Sequence, residues 1–540
     1  MFLLKTGLPS CMIPLVGTNT TQKHKKDTAV KKINWLLWLL ILTTLTGCLV
    51  TSPAPAPLLP WEAPHGSITP YRYTSRNAPL EPKAYTIMVY LNGSDLETDH
   101  RAATMDLAEM VQSGFDEEHV NLIVFTGGTR RWHLPFIPNN RNAIFQLEQN
   151  TMTRIANADN LPMGDPAVLA GFVNFCKTYY PAEHYGLILW NHGGGAISGF
   201  GHDEVYQGDP SRTAMSLRDI DRALEASVPP QGLEFLGFDT CLMATLEMAD
   251  IGAKYARYLI ASQDLEPADG WDYAFLGHIQ PGDTGADIGV NIIRYYEAFY
   301  QDSDVGDILT LSLVDLSKIE AVYTAFEHLA HGTNYALASG GFPRIAKARA
   351  NARVFGGEMG TSTDMVDLAQ LARNLGPVSP REARLFEAAL SHAVLYQYHN
   401  YPGELGGLSI YFPFANKQDL PQSMAVYKEL NQLPYYTRLL TRFAHKLLAS
   451  PEDAPTDPPT ALLILNGHPV SACEVARNPY RTRYAIPIRQ NGKDASLLVF
   501  FEEGEDAGKI IGAVPAGEDV FNRMNRKVLP VSPDDTITLP

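Results

Sequence analysis

Two residues in this chain have the type and placement for covalent chemistry: His192 in "GLILWNHGGG" and Cys241 in "FLGFDTCLMATLEMA". Each stands where an apolar, strand-like run stops. In an open α/β sheet ligands gather at the carboxyl ends of the parallel strands, so both residues would share one rim. A helix-like pattern covers about 240–255, and unpaired N–H groups at a helix start favour the thiolate that a nucleophilic sulfur needs. An imidazole beside it could act as base or protonate a leaving amine. The glycines after His192 let backbone approach a substrate, and the Gly193 N–H is the favoured donor to a developing oxyanion. Singly, each residue has a plainer reading, since an isolated cysteine is usually a small buried apolar residue and a lone histidine more often serves one hydrogen bond. Their pairing at two strand ends is what points to chemistry.

Such a rim requires a parallel sheet. Nearly continuous apolar runs at 85–91, 120–126, 185–191, 233–239 and 258–262 read as strands covered on both faces. Helical patterns separate them. Asp165 can cap a helix with Pro166 in its first turn, and Val168, Leu169, Phe172, Val173 and Cys176 form one stripe, which makes Cys176 a core residue. Ser216 with Asp219 resembles a capping box. Further strands are expected at 309–314 and 408–412, and helices at 364–374, 380–396 and 434–450. Alternating strands and helices predict an α/β fold with a mostly parallel sheet and helices on both faces. After "SPEDAPTDPPT", the runs "ALLILNG", "RYAIPI", "SLLVFFE" and "KIIGAVP" predict a small C-terminal β-rich domain.

The 540 residues are 45% hydrophobic and 19% charged, as in globular proteins. A net charge of -16 argues against nucleic acid and mildly favours cationic substrates. "NHGGGAISGFG" lacks the Lys-Ser/Thr of a phosphate loop and the acidic partner of a dinucleotide fold. "GHDE" at 201–204, with His202 to Glu204 its polar part, could suggest metal ligands, but neither HExxH nor paired CxxC accompanies it. Near the N-terminus, "KKINWLLWLLILTTLTGC" is basic, then apolar for too few residues to span a bilayer, then small, which reads as a secretion signal. Its ending resembles the lipobox of bacterial lipoproteins, in which the cysteine, here Cys48, is acylated. Leu49 in place of aspartate implies an outer-membrane anchor in a Gram-negative envelope. Residues 1–30 make a long polar preamble, consistent with a misplaced start codon. Of Cys11, Cys48, Cys176, Cys241 and Cys473, three remain once the leader and the lipid site are set aside, so at least one stays free or pairs with another molecule. The expected organisation is a leader at 1–47, a proline-rich spacer at 48–82, the α/β domain at 83–449, a linker at 450–460 and the β-rich domain at 461–540.

His192 precedes Cys241 by roughly 50 residues, the order and separation of the caspase pair, although no "QACRG" is present. "YTIMVYLNGSDLE", "LILWNHGGG", "FLGFDTCLMATLEMA" and "ASQDLEPADGWDY" together resemble the clostripain family of cysteine peptidases, caspase-fold relatives of gingipains and legumains. The likeness is strongest over 83–273. It implies a His192–Cys241 dyad without an obligatory third residue, an oxyanion held by the N–H groups of Gly193 and Cys241, and protein or peptide substrates cut after arginine or lysine. A buried cationic side chain needs a carboxylate partner, or its desolvation is prohibitive. Asp239 matches the family position for that pocket, and Asp269 is a second candidate; the plainer alternatives are a helix cap and a turn aspartate. Ala268 departs from the glycine expected there. The resemblance also implies activation by cleavage between the histidine and cysteine motifs, for which Arg212 is suited. No cofactor is required, and calcium dependence is left open, since no EF-hand-like loop is visible. The competing reading is a non-catalytic surface lipoprotein that binds peptides or glycans.

Overall fold

The computed structural model describes residues 81–301, 309–356, 363–430 and 432–448, with shorter strand segments before and after that body. Cys48, the apolar leader and the linker at 450–459 lie outside the described residues. No described helix is long and apolar enough to cross a membrane.

Five parallel strands form the centre of the main sheet: β1 (Lys83–Asn92), β2 (Val120–Gly127), β3 (Ala182–Trp190), β4 (Leu233–Asp239) and β5 (Ala256–Ala261). Their order is β2-β1-β3-β4-β5. Antiparallel strands extend both sides, Thr310–Asp315 and Val394–His399 beyond β5, and Ala143–Glu148 and Thr151–Asn157 beyond β2. A hairpin of Trp61–Ala63 and Gly66–Pro70 continues onto Thr151–Asn157, so strand pairing starts ahead of Lys83, where the composition suggested spacer.

Alternation along β1 shows why both faces are covered. Tyr85, Ile87, Val89 and Leu91 pack in one core with the helices Ala102–Gln112 and Gly285–Tyr300. Met88 and Tyr90 pack in the opposite core with the helix Pro166–Tyr179. Asp165 caps that last helix by accepting from Ala167 N at 2.9 Å, and Ser216 and Asp219 form the reciprocal capping box of Leu217–Ser227. Cys176 is buried, and burial pushes its thiol well above the usual range, as befits packing rather than reactivity.

The chain departs from its sequence pattern just after Cys241. The helix expected over 240–255 spans only Leu246–Gly252, with Thr245 as its cap. Residues 241–245 instead turn at Cys241–Leu242 and run on without helix, held by distant partners: Leu242 N donates to the Asp264 carbonyl at 3.0 Å, Ala244 N to Ser262 O at 2.9 Å, and Ser409 N to Ala244 O at 2.9 Å. Cys241 therefore lies ahead of the helix, outside the reach of its N-terminal field. The helix expected over 380–396 ends at Ala393 and the chain enters a strand, because a short aromatic run such as "VLYQYH" satisfies either pattern. Val354–Phe355, Met365–Asp367 and Ser409–Tyr411 form a small antiparallel sheet that meets the cysteine segment at Thr245 and Ser409. Beyond the body, Thr460–Leu465, His468–Asn478, Arg481–Gln490, Lys493–Glu502 and Lys509–Pro515 pair antiparallel in chain order.

Arg349 and Asp364 form an ion pair of 2.9 Å with both side chains 1% exposed. The Asp364 carboxylate also accepts from the backbone N–H groups of Phe414, Ala415 and Asn416. Asp364→Ala would leave a buried guanidinium without its counter-charge, so it is expected to destabilise the fold by about 3–5 kcal/mol in urea denaturation, and a loss below about 1 kcal/mol would contradict this assignment.

Candidate active site

The strand order reverses direction between β1 and β3, the point at which an open α/β sheet leaves a crevice at its carboxyl edge. Leu91 pairs with Trp190, and Trp190 with Asp239, so β1, β3 and β4 end level. Asp95, His192 and Cys241 follow directly, Asp95 in the first turn of the helix Ser94–His100 after β1, and His192 and Cys241 on the segments leaving β3 and β4. Adjacent strand ends thus bring together residues distant in sequence.

His192 is buried, and its Nε2 lies 3.0 Å from Asp95 Oδ1. This bond assigns the proton of the neutral ring to Nε2 and the lone pair to Nδ1. Asn191, also buried, fixes the loop by accepting from His192 N and donating to the Asn92 carbonyl. Burial opposes ionisation of Asp95, but the hydrogen bond and charge of His192, aided by His202, outweigh it and hold the carboxyl well below the usual range. Sequence reasoning assigned Asp95 no role; its signal was the polar "NGSD" directly after the first strand.

Cys241 is buried, and its Sγ accepts from the Glu266 N–H at 3.3 Å. Leu242, the next residue, has φ 67°, a left-handed conformation that non-glycine residues rarely adopt. The histidine loop lies against this turn: a Cβ on Gly193 would stand 2.0 Å from the Cys241 carbonyl oxygen and 2.7 Å from Thr240 Oγ1. Only glycine fits there. Gly194 N donates to Gly199 O, and Gly201 N to His192 O. The Gly193 N–H has no acceptor among the described residues.

Asp239, buried at the end of β4, accepts at Oδ2 from Tyr273 Oη at 2.9 Å and from Trp271 N at 3.4 Å. It caps no helix, because Thr245 fills that role. Gly270, at φ 59°, abuts the carboxylate, and a Cβ there would lie 2.8 Å from Oδ1. Asp269 is exposed on the adjoining turn, closed by Gly270 N to Pro267 O at 3.1 Å. Behind Asp239 stand two carboxyls that the sequence reading did not single out, Asp106 and Glu109, three apart on the helix Ala102–Gln112. Trp190 Nε1 donates to Asp106, and Tyr273 N to Glu109 at 3.1 Å. Burial, then the charges of Asp239 and Glu109, push Asp106 well above the carboxylate range. Burial likewise pushes Glu109 up to about 7.

Arg212 stands apart from this crevice constellation, exposed on the short helix Pro210–Thr213 with its guanidinium over the Tyr206 ring. Its carbonyl accepts from Gly164 N at 3.2 Å, so cutting after it requires this turn to open. Asp203 and Glu204 are committed to the backbone N–H groups of Met163, Val205 and Arg130. Among the described residues no group of three His, Cys, Asp or Glu side chains is arranged to hold a metal.

Glu109 makes a testable linkage. An unfolded glutamate loses its proton near 4.5 and the folded one near 7, so between those values the folded state binds more protons and stability falls as pH rises. Glu109→Gln cannot ionise and should gain up to about 3 kcal/mol relative to the native chain between about pH 5 and about pH 8. Denaturation curves at those two pH values measure it, and a constant difference would refute the assignment.

Comparison with known proteins agrees with the geometry. Residues 89–449 match the clostripain family of C11 peptidases. Clostripain of Hathewaya histolytica is 25% identical over 230 residues, covering 37% of this chain and 43% of that protein, so the match spans less than half of the relative's length. An inactive zymogen C11 protease from Parabacteroides distasonis superposes with a TM-score of 0.51 at 21% identity, over 67% of this chain and 99% of that one. A secreted C11 cysteine protease from Bacteroides thetaiotaomicron gives a TM-score of 0.51 at 18% identity, over 67% of this chain and 100% of that one. The four sequence motifs, the strand order that sets them on one rim and the family match over most of the α/β body agree: this chain belongs to the clostripain family.

Proposed function

We propose that this protein is a cysteine endopeptidase that hydrolyses peptide bonds after arginine or lysine. The observation that carries the reading is the level ending of β1, β3 and β4, which sets Asp95, His192 and Cys241 just beyond three adjacent strand ends of one crevice, with Asp239 on the cysteine strand.

Each group then has a defined task. His192 takes the Cys241 proton at Nδ1, and Asp95 holds the ring and stabilises the imidazolium so formed. The sulfur adds to the scissile carbonyl, and the electron pair moves to oxygen, where the N–H groups of Gly193 and Cys241 meet it. Collapse of this intermediate breaks the C–N bond as His192 gives its proton to the leaving amine. Water, deprotonated by His192, then hydrolyses the thioester and restores the thiol. Asp239 supplies the counter-charge for the basic side chain before the cut, with Asp269 at the pocket's exposed lip. The reaction needs no metal or organic cofactor; a calcium requirement would be structural. Cys48 would carry the lipid that tethers the enzyme outside the cytoplasm, and Arg212 would be an activation site reached by opening its turn.

The test is turnover of fluorogenic peptides ending in Arg, Lys, Asp or Asn, with and without calcium, by the native chain and its variants. The expected result is cleavage after Arg or Lys, abolished by Cys241→Ala and reduced by about a hundredfold or more in kcat/KM by Asp239→Asn. Cleavage after Asp or Asn would keep the mechanism and overturn the role of Asp239. Folded, processed protein without Cys241-dependent turnover would overturn the peptidase reading in favour of a binding lipoprotein.

A further inference from the structure

We infer that Asp264 and Arg353 are positioning residues for the nucleophile, holding the strap that touches both the Cys241 sulfur and the backbone of the residue after it. The inference rests on the reading of Cys241 as nucleophile and extends it to Asp264, which lies in "ASQDLEPADGWDY" but was given no role there, and to the distant Arg353.

The turn at Cys241 does not hold itself. Leu242 sits at φ 67°, a strained conformation for a branched side chain, and no helix begins there to fix it. Its N–H is held by the Asp264 carbonyl at 3.0 Å, an oxygen that also accepts from Ser262 Oγ at 3.0 Å. Two residues further on, Glu266 N donates to Cys241 Sγ at 3.3 Å. The strap 264–266 therefore sets the position of the sulfur from one side and the peptide that follows it from the other.

The strap is anchored from a distant segment. Asp264 Oδ1 accepts from Leu265 N at 2.9 Å and from Gly356 N at 2.7 Å, while Oδ2 lies 3.1 Å from Arg353 Nη2, 89 residues away in sequence. The two side chains are 9% and 11% exposed, so the pair is poorly screened by solvent. Arg353 is in turn stacked near the Tyr401 ring, with Cζ 5.1 Å from its centroid. Gly356, at φ 57°, receives the Leu242 side chain directly, and a Cβ there would lie 2.7 Å from both Leu242 Cδ atoms. One carboxylate thus ties the strap to the 353–356 segment, and that segment presses on the residue next to the nucleophile. Loss of the tie frees the Leu242 peptide to relax from its left-handed conformation, which turns the Cys241 sulfur and N–H away from their working positions.

The test compares Asp264→Asn, Arg353→Met and Arg353→Lys in the full chain, reading kcat and KM on an arginyl peptide, the rate at which iodoacetamide alkylates Cys241, and the thermal midpoint. Asp264→Asn and Arg353→Met should lower kcat and the alkylation rate by about tenfold or more with KM within about twofold, and Arg353→Lys should recover part of both. Native kcat and alkylation rates in folded variants, a loss confined to KM or to the thermal midpoint, or Lys performing no better than Met would overturn the positioning role. Should Asp264→Asn not fold, the two Arg353 variants decide. Absence of Cys241-dependent turnover in the native chain would sink the peptidase reading alone, because the alkylation rates still judge the strap.

Discussion

The site depends on one close approach, that of the Gly193 backbone to the carbonyl oxygen of Cys241. A single added carbon at Gly193 would stand 2.0 Å from that oxygen, so the loop leaving β3 and the turn leaving β4 cannot be set where they are with any other residue. The approach fixes how His192 enters the crevice and where the Gly193 N–H stands. It is possible because β3 and β4 end at paired residues, Trp190 and Asp239, and because the chain turns at Cys241–Leu242 instead of entering a helix. Parallel pairing of five apolar strands is therefore more than a scaffold; its register sets where His192 and Cys241 stand relative to each other.

The electrostatics of the crevice divide along the same line. On the histidine side, Asp95 is held ionised by its partner ring, which favours a positive charge on the imidazole during reaction. On the far side of Cys241, Asp239 is backed by Asp106 and Glu109, whose burial and mutual repulsion oppose ionisation. A cation entering beside Asp239 relieves that repulsion, whereas an anion would add to it. The proposed preference for a basic side chain would follow from a neighbourhood of carboxyls, of which Asp239 is the member nearest Cys241 in sequence.

Much of this was legible in the sequence. Apolar runs located the five parallel strands to within a few residues, because strands buried on both faces leave a continuous signal, and the cap at Asp165 and the capping box at Ser216 were readable from local chemistry alone. His192, Gly193 and Cys241 stood out because they end such runs. What was not legible came from distant contacts. The helix assigned at 240–255 gave way because residues 241–245 pair with 262–264 and with Ser409, partners that no local window contains. Asp95 needed the strand order to become a partner of His192, and Asp106 and Glu109, in a stretch for which the sequence reading named no element, became neighbours of Asp239 only through the fold.

The central claim, a nucleophilic Cys241 beside a pocket for basic side chains, is tested most directly by covalent capture. The full chain would be treated with a peptidyl chloromethyl ketone ending in arginine, beside one ending in aspartate, and the adduct located by peptide mass mapping. The account predicts a single arginyl adduct on Cys241, formed much more slowly in His192→Ala and not formed by the aspartyl reagent. Labelling of Cys176 or Cys473 instead, or equal labelling by both reagents, would contradict it.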